Sequence, residues 1–144
     1  NFDSVIEYEL KKNNIDLVCL AGFMTILSPN IVKKWEEKIL NIHPSILPLY
    51  PGLNTYNKVL TSGMKFHGSS VHIVDKNIDN GKILGQFIFP IEPDSNKDDL
   101  IKKVKKNENY FYPKVINKYI WTYFKKKYKL KPEIFNRNNV FFSY

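Results

Sequence analysis

Cysteine is nearly absent. Cys19 is alone in 144 residues, so no disulfide can close within the chain. A lone thiol inside the apolar run 17–21 fits a reducing compartment and points to a cytoplasmic protein. Arginine is equally scarce: Arg137 is alone, so the positive surplus is a lysine surplus. With frequent Asn, Ile and Tyr it reads as a bias of the whole chain rather than one local site. No apolar run approaches the roughly 20 residues that a bilayer span needs, and no stretch has the form of a signal peptide, so no membrane partner is indicated. Glycine-rich phosphate loops, Walker motifs, G-x-G-x-x-G and a serine nucleophile elbow are all missing. Only three histidines occur, His43, His67 and His72. Their spacings match no familiar ligand pattern, so no metal is expected.

What is present suits one domain over residues 1–144. The 43% hydrophobic fraction allows a real core, and no repeat or linker divides the chain. The formal charge is +8 and the pI about 9.4, a balance that attracts phosphates, carboxylates or nucleic acid. The lysines are densest at 102–106 and 125–131, in helical or helix-ending segments where a solvated face is the default meaning. A basic nucleic-acid-binding module is a separate reading. It is disfavoured because the lysines are dispersed and the aromatic residues keep an internal, helical spacing.

The chain is organised around Asn41-Ile42-His43-Pro44-Ser45-Ile46-Leu47-Pro48, continuing through Tyr50-Pro51-Gly52. The apolar run at 38–40 reads as the end of a buried strand, and the prolines and glycine then forbid continued sheet or helix. A strand that stops abruptly leaves its last side chains at the carboxyl edge of a sheet, where open α/β folds bind ligands. Asn41 and His43, two apart, point the same way. A carboxamide can hydrogen-bond a developing oxyanion while an imidazole moves a proton near neutral pH. The plainer reading is an Asn bonding its own turn and a structural His beside a proline.

In order, residues 3–13 predict an amphipathic helix, 16–22 a buried strand, and Ser28-Pro29 the cap and first turn of a helix to about 38. Strand 39–42 follows. Helix, strand, helix, strand is the order of βα units in a parallel sheet. Asn54 can cap a helix through Leu60 that Gly63 closes. Residues 67–74 and 82–91 predict two strands, antiparallel across a short turn at 75–81. Ser95 with Asp98 makes a capping box for a helix over 96–106, and Pro113 predicts a break or new start near 108–113. Tyr110, Phe111, Val115, Ile116, Tyr119, Ile120 and Tyr123 read as core packing. Residues 131–144 fit a hairpin turning at Asn138-Asn139. The chain begins at Asn1 directly in a helical pattern, which suggests a fragment or processed chain.

Asp79 stands in the turn Ile78-Asp79-Asn80-Gly81, where an aspartate ordinarily bonds local backbone. Aimed at His43, it would favour imidazolium and raise the histidine pKa. Ala21-Gly22-Phe23-Met24, Ile26-Leu27-Ser28-Pro29, Asn41-Ile42-His43-Pro44-Ser45, Leu47-Pro48, Tyr50-Pro51-Gly52, His67-Gly68-Ser69-Ser70-Val71-His72 and Asp79-Asn80-Gly81 run in one order along nearly the whole chain. In this the chain resembles the phosphoribosylglycinamide formyltransferase (glycinamide ribonucleotide transformylase) family.

The resemblance implies an α/β fold with a mostly parallel open sheet, Rossmann-like, helices on both faces, and the family's first βα units lacking. It implies transfer of a formyl group from 10-formyltetrahydrofolate, as co-substrate, to the amine of glycinamide ribonucleotide in purine synthesis. Asn41, His43 and Asp79 match the catalytic trio. Folate contacts map onto Met24, Thr25, Ile26, Leu27, Asn41, Asp75, Lys76, Asn77, Ile78 and Asp79, and substrate contacts onto Pro44, Lys105 and Glu108. Ser70 and His72 match residues beside Asp79; His67 is left as structural or supporting. Thr25 stands where the family often has arginine, which implies a weaker grip on the folate tail. A formyltetrahydrofolate hydrolase shares the Asn-x-His and Asp arrangement and is the runner-up. A methionyl-tRNA formyltransferase and a non-catalytic remnant are further alternatives.

Overall fold

The computed structural model describes residues 2–128. Its elements are α1 (Phe2–Lys12), β1 (Val18–Ala21), α2 (Pro29–Lys34), β2 (Ile39–His43), α3 (Thr55–Thr61), β3 (Phe66–Ile73), β4 (Ile83–Pro90) and α4 (Lys97–Tyr128). The hairpin predicted for 131–144 lies outside the described residues.

Successive side chains of a strand point to opposite faces, and β2 is covered on both. Ile39 packs with Ile31, Val32 and Trp35 of the α2 region, against which Ile6 and Leu10 of α1 lean. Leu40 and Ile42 face the other way, onto Val71 of β3 and Tyr112 and Val115 of α4. A third cluster joins Val59 of α3, Phe89 of β4 and Leu100 and Val104 of α4. Helices therefore cover both sheet faces, and a strand buried twice over needs the near-continuous apolar run that β2 has.

The strand order is β1-β2-β3-β4. β1 and β2 are parallel, with Val18 opposite Ile39. β2 and β3 are antiparallel, with Asn41 opposite His72 and His43 opposite Ser70; β3 and β4 are antiparallel as well. Among the described residues the sheet is thus mixed; its antiparallel β3–β4 pair is as predicted, whereas the antiparallel β2–β3 pair departs from a mostly parallel sheet. A parallel pairing needs a crossover that carries the chain back to the starting edge. α3 is too short to do this and packs at the side on α4, so β3 runs back down beside β2. The short 74–82 connection then leaves β4 no choice but an antiparallel return.

Five further predictions change. β1 is bonded on one side only among the described residues, and its side chains alternate between half-buried and exposed, with Cys19 exposed. α4 is one helix of 32 residues with Pro113 inside it, not two. A proline in a helix costs about 3 kcal/mol. Burying Val104, Tyr112 and Val115 on one continuous face is worth roughly 1.5–3 kcal/mol for each side chain, so continuation wins. Tyr110 does not join that face; it is exposed, with the Lys114 ammonium 3.5 Å from its ring centroid. The α4 cap lies one residue later than Ser95. Asn96 Oδ1 accepts from the N–H groups of Asp98 (2.9 Å) and Asp99 (3.1 Å), and Asp99 Oδ2 accepts from Asn96 N–H (3.2 Å). Asn54 precedes α3 in the left-handed region without a side-chain cap bond, whereas Ser28 caps α2 as predicted.

Candidate active site

β2 delivers Asn41 and His43 to the face that carries Ile39, and the antiparallel register sets His72 and Ser70 of β3 directly across from them. Asp79 arrives from the loop after β3. That loop folds back over the same face, with Asp79 itself in the left-handed region at φ 51°. The Asp79 carboxylate meets three partners. Oδ2 lies 3.2 Å from His43 Nδ1 and accepts from Gly52 N–H at 2.8 Å. Oδ1 lies 3.5 Å from His72 Nε2. Burial alone would push this carboxyl up; His72, the Gly52 amide and His43 outweigh it and hold its pKa below the ordinary value.

His43 is 7% exposed, with acceptors at both ring nitrogens. Nε2 is 3.0 Å from the Tyr50 carbonyl, opposite the Nδ1 contact with Asp79. Only an imidazolium can donate to both. Burial nevertheless dominates and lowers the His43 pKa, with the Tyr50 carbonyl and Asp79 pulling it upward and His72 and Lys58 adding to the fall. The net direction is the reverse of the rise that a carboxylate partner alone predicts, because burial also removes water from the ring.

His72 fixes the Asn41 carboxamide. Its Nδ1 faces the Ile73 carbonyl at 3.0 Å and so carries a hydrogen. With that hydrogen alone on the ring, Nε2 accepts from Asn41 Nδ2 at 3.3 Å; a second hydrogen, on Nε2, is shared with Asp79 Oδ1 at 3.5 Å instead. That leaves the second Asn41 N–H and its carbonyl oxygen uncommitted by this bond.

The loop after His43 is braced by a buried hydroxyl. Ser70 Oγ accepts from Leu47 N–H at 2.8 Å and from Gln86 Nε2 at 2.7 Å, and donates to the Ser45 carbonyl at 2.7 Å. Gln86 also donates to the Leu47 carbonyl at 2.9 Å, and Ser45 to that of Leu49 at 2.6 Å. The bracing presents Tyr50 O to His43 and Gly52 N to Asp79. Three contributors escaped sequence reasoning. Tyr50 and Gly52 act through backbone atoms, which leave no side-chain signature. Gln86 did leave one: a polar residue between apolar neighbours in β4.

The remaining predicted residues lie on neighbouring loops and on α4, which packs on the other face of the sheet. Met24, Thr25, Ile26 and Leu27 follow β1, which ends beside the Ile42 end of β2; Met24 and Ile26 are 78% and 74% exposed. Ile78 is exposed beside Asp79. Asp75 spends its carboxylate on the Asn77 N–H at 2.8 Å, a local turn, and Lys76 is exposed. Pro44 is half-buried next to His43. Lys105 and Glu108 sit on α4, and Glu108 accepts from the Ser69 hydroxyl at 2.6 Å. His67 belongs to the opposite face, edge-on between Tyr56 and Phe89, and burial lowers its pKa to about 4. Two open surface clefts lie elsewhere, one along Phe89, Ile91 and Lys103, the other between Leu10, Lys34 and Trp35. Neither holds an imidazole–carboxylate pair, so the chemistry points to the β2 edge.

A strand-end carboxamide and imidazole, backed by a carboxylate from a folded-back loop on a mixed α/β sheet, make an arrangement chemically able to donate to an oxyanion and to move a proton. The chain belongs to the formyl transferase family, whose model matches residues 1–116. Among individual relatives, it is 40% identical over 116 residues to phosphoribosylglycinamide formyltransferase of Escherichia coli K12, covering 81% of this chain and 55% of that protein. It is 41% identical over 115 residues to the trifunctional purine biosynthetic protein adenosine-3 of Drosophila melanogaster, covering 80% of this chain and 8% of that one. Its fold matches the crystal structure of phosphoribosylglycinamide formyltransferase from Bacillus halodurans with a TM-score of 0.80 and 33% identity, over 83% of this chain and 61% of the other. The chain thus spans about half the length of the bacterial relatives.

Proposed function

We propose that this chain carries the catalytic centre of a phosphoribosylglycinamide formyltransferase, acting in purine biosynthesis in the cytosol on two small molecules. 10-Formyltetrahydrofolate is the formyl donor and glycinamide ribonucleotide the acceptor. The observation that carries the reading is the Asp79 carboxylate set between His43 at 3.2 Å and His72 at 3.5 Å, beside Asn41.

The ribonucleotide amine attacks the formyl carbon, a C–N bond forms, and the carbonyl oxygen becomes an oxyanion. The uncommitted N–H of Asn41 donates to that oxygen. Removing one such donor typically costs about 10²–10³ in rate. His43 exchanges the Tyr50 carbonyl for the reacting centre. With Asp79 behind Nδ1 it stabilises the anion and relays the proton lost by the amine to the departing folate nitrogen, as the C–N bond to folate breaks. The folate lies against Met24, Thr25, Ile26 and Leu27 and along Asp75, Lys76, Asn77 and Ile78, largely on backbone groups with apolar side chains beside them. Pro44, Lys105 and Glu108 meet the ribonucleotide.

In the full-length protein that carries this chain, His43→Ala should abolish formyl transfer while folate affinity stays within a few-fold; near-normal turnover refutes the assignment. Formate release separates the hydrolase reading. A transferase leaves 10-formyltetrahydrofolate intact until glycinamide ribonucleotide is added, whereas a hydrolase releases formate without it.

A further inference from the structure

Glu108 is held from outside its own helix. Its Oε1 accepts a 2.6 Å bond from Ser69, which is fully buried on β3. Ser69 lies on the face that Val71 presents to α4, while its neighbour Ser70 faces the other way and spends its hydroxyl on the loop after His43. A buried strand hydroxyl needs a partner, and a hydroxyl on a carboxylate at this distance is among the stronger hydrogen bonds. Ser70 in turn stands opposite His43, so the Ser69–Glu108 bond ties α4 to the stretch of β3 that borders the catalytic pair.

The groups facing this carboxylate are Ser69 from β3, Tyr56 from α3, and Lys105 and Tyr112 from α4. Burial pushes the Glu108 pKa above the ordinary value, with Ser69 and Lys105 opposing it. The Tyr56 phenol is pushed up to about 12, by burial first and then by the Glu108 charge.

We propose that Ser69 is a positioning residue for the ribonucleotide. Its hydroxyl pins one Glu108 oxygen so that the other is presented, ionised, to a ribose hydroxyl. The inference rests on the reading in which Glu108 meets glycinamide ribonucleotide. Without the Ser69 hydroxyl, Glu108 loses both its orientation and one of the two interactions that keep it charged.

The test is steady-state kinetics of the full-length protein with each substrate varied in turn, over a pH series, for Ser69→Ala, Ser69→Thr and Glu108→Gln. Ser69→Ala should raise KM for the ribonucleotide roughly tenfold, the scale of one charge-assisted bond. Its kcat and its KM for the folate should stay within twofold. The acid limb of kcat/KM for the ribonucleotide should move to higher pH, and Ser69→Thr should restore both properties. If Ser69→Ala does not fold, Ser69→Cys, a weaker donor of similar size, should move both quantities in the same direction. An unchanged ribonucleotide KM in Ser69→Ala beside a raised one in Glu108→Gln overturns the positioning role and leaves the ribonucleotide reading standing. An unchanged KM in Glu108→Gln overturns both. Parallel losses for both substrates with no shift of the acid limb mark Ser69 as merely structural and overturn the proposal.

Discussion

At the carboxyl end of β2, residues 40–43 alternate between opposite faces of one strand and meet opposite chemistry. Leu40 and Ile42 are 0% and 5% exposed and touch Val71 and the Tyr112–Val115 turn of α4. His43 is buried almost as deeply, yet it and Asn41 meet His72, Asp79 and the Tyr50 carbonyl. The apolar face draws its energy from area, about 25 cal/mol for each Å² removed from water. The polar face gains little net energy, because each bond replaces a bond to water; what it gains is geometry. One pleat thus separates stability from reactivity, and neighbouring substitutions should have unlike effects.

Between neighbours on β2, the largest contrast should come from Asn41→Ala, which removes the proposed oxyanion donor. We expect kcat to fall about 10²–10³-fold, with the unfolding midpoint nearly unchanged. Its neighbour Leu40→Ala should do the reverse, losing about 2–5 kcal/mol in urea unfolding while the folded fraction keeps its kcat. Similar activity losses in both variants would break the comparison.

Two buried histidines sharpen it through pH. His67, on the α4 side, has Nε2 without a hydrogen-bond partner and a pKa lowered from 6.5 to about 4. The unfolded chain therefore takes up the proton first as pH falls. Stability from this group is full above about 6.5 and is lost between 6.5 and 4, by at most about 3 kcal/mol. The His43 pKa is lowered too and acts in the same direction. Replacing His67 with Phe should flatten much of the acid slope in denaturant midpoints measured from pH 7 to 4, while a slope equal to that of the parent would contradict the burial argument. The smallest effect belongs to the α4 cap: Asn96→Ala should cost about 1 kcal/mol and Ser95→Ala close to nothing, as thermal melts can resolve.

The convergence of Asn41, His43, His72 and Asp79 was legible because these residues are chemically conspicuous. Asn41, His43, His72 and Asp79 stand in recognisable blocks, and the period of two put the first pair on one face. The proton energetics were not legible, since the burial that lowers the His43 pKa depends on which backbone segments cover the ring. The continuity of α4 across Pro113 escaped because a local rule for proline competes with packing against strands distant in sequence. The α4 cap fell one residue late because Ser95 and Asn96 are both good caps, and only the backbone path chooses between them. The antiparallel run of β3 beside β2 was hidden for a similar reason: a connection of helical pattern reads as a crossover until its short helix is seen packed at the side.

The proposed reaction requires the Asp79 carboxylate to hold His43 and His72 in one working unit. Single-turnover formyl transfer by Asp79→Asn, in the full-length protein saturated with both substrates, tests it most directly. We predict a rate lowered at least about 100-fold, with folate affinity within a few-fold of the parent. A rate within a few-fold of the parent would contradict it.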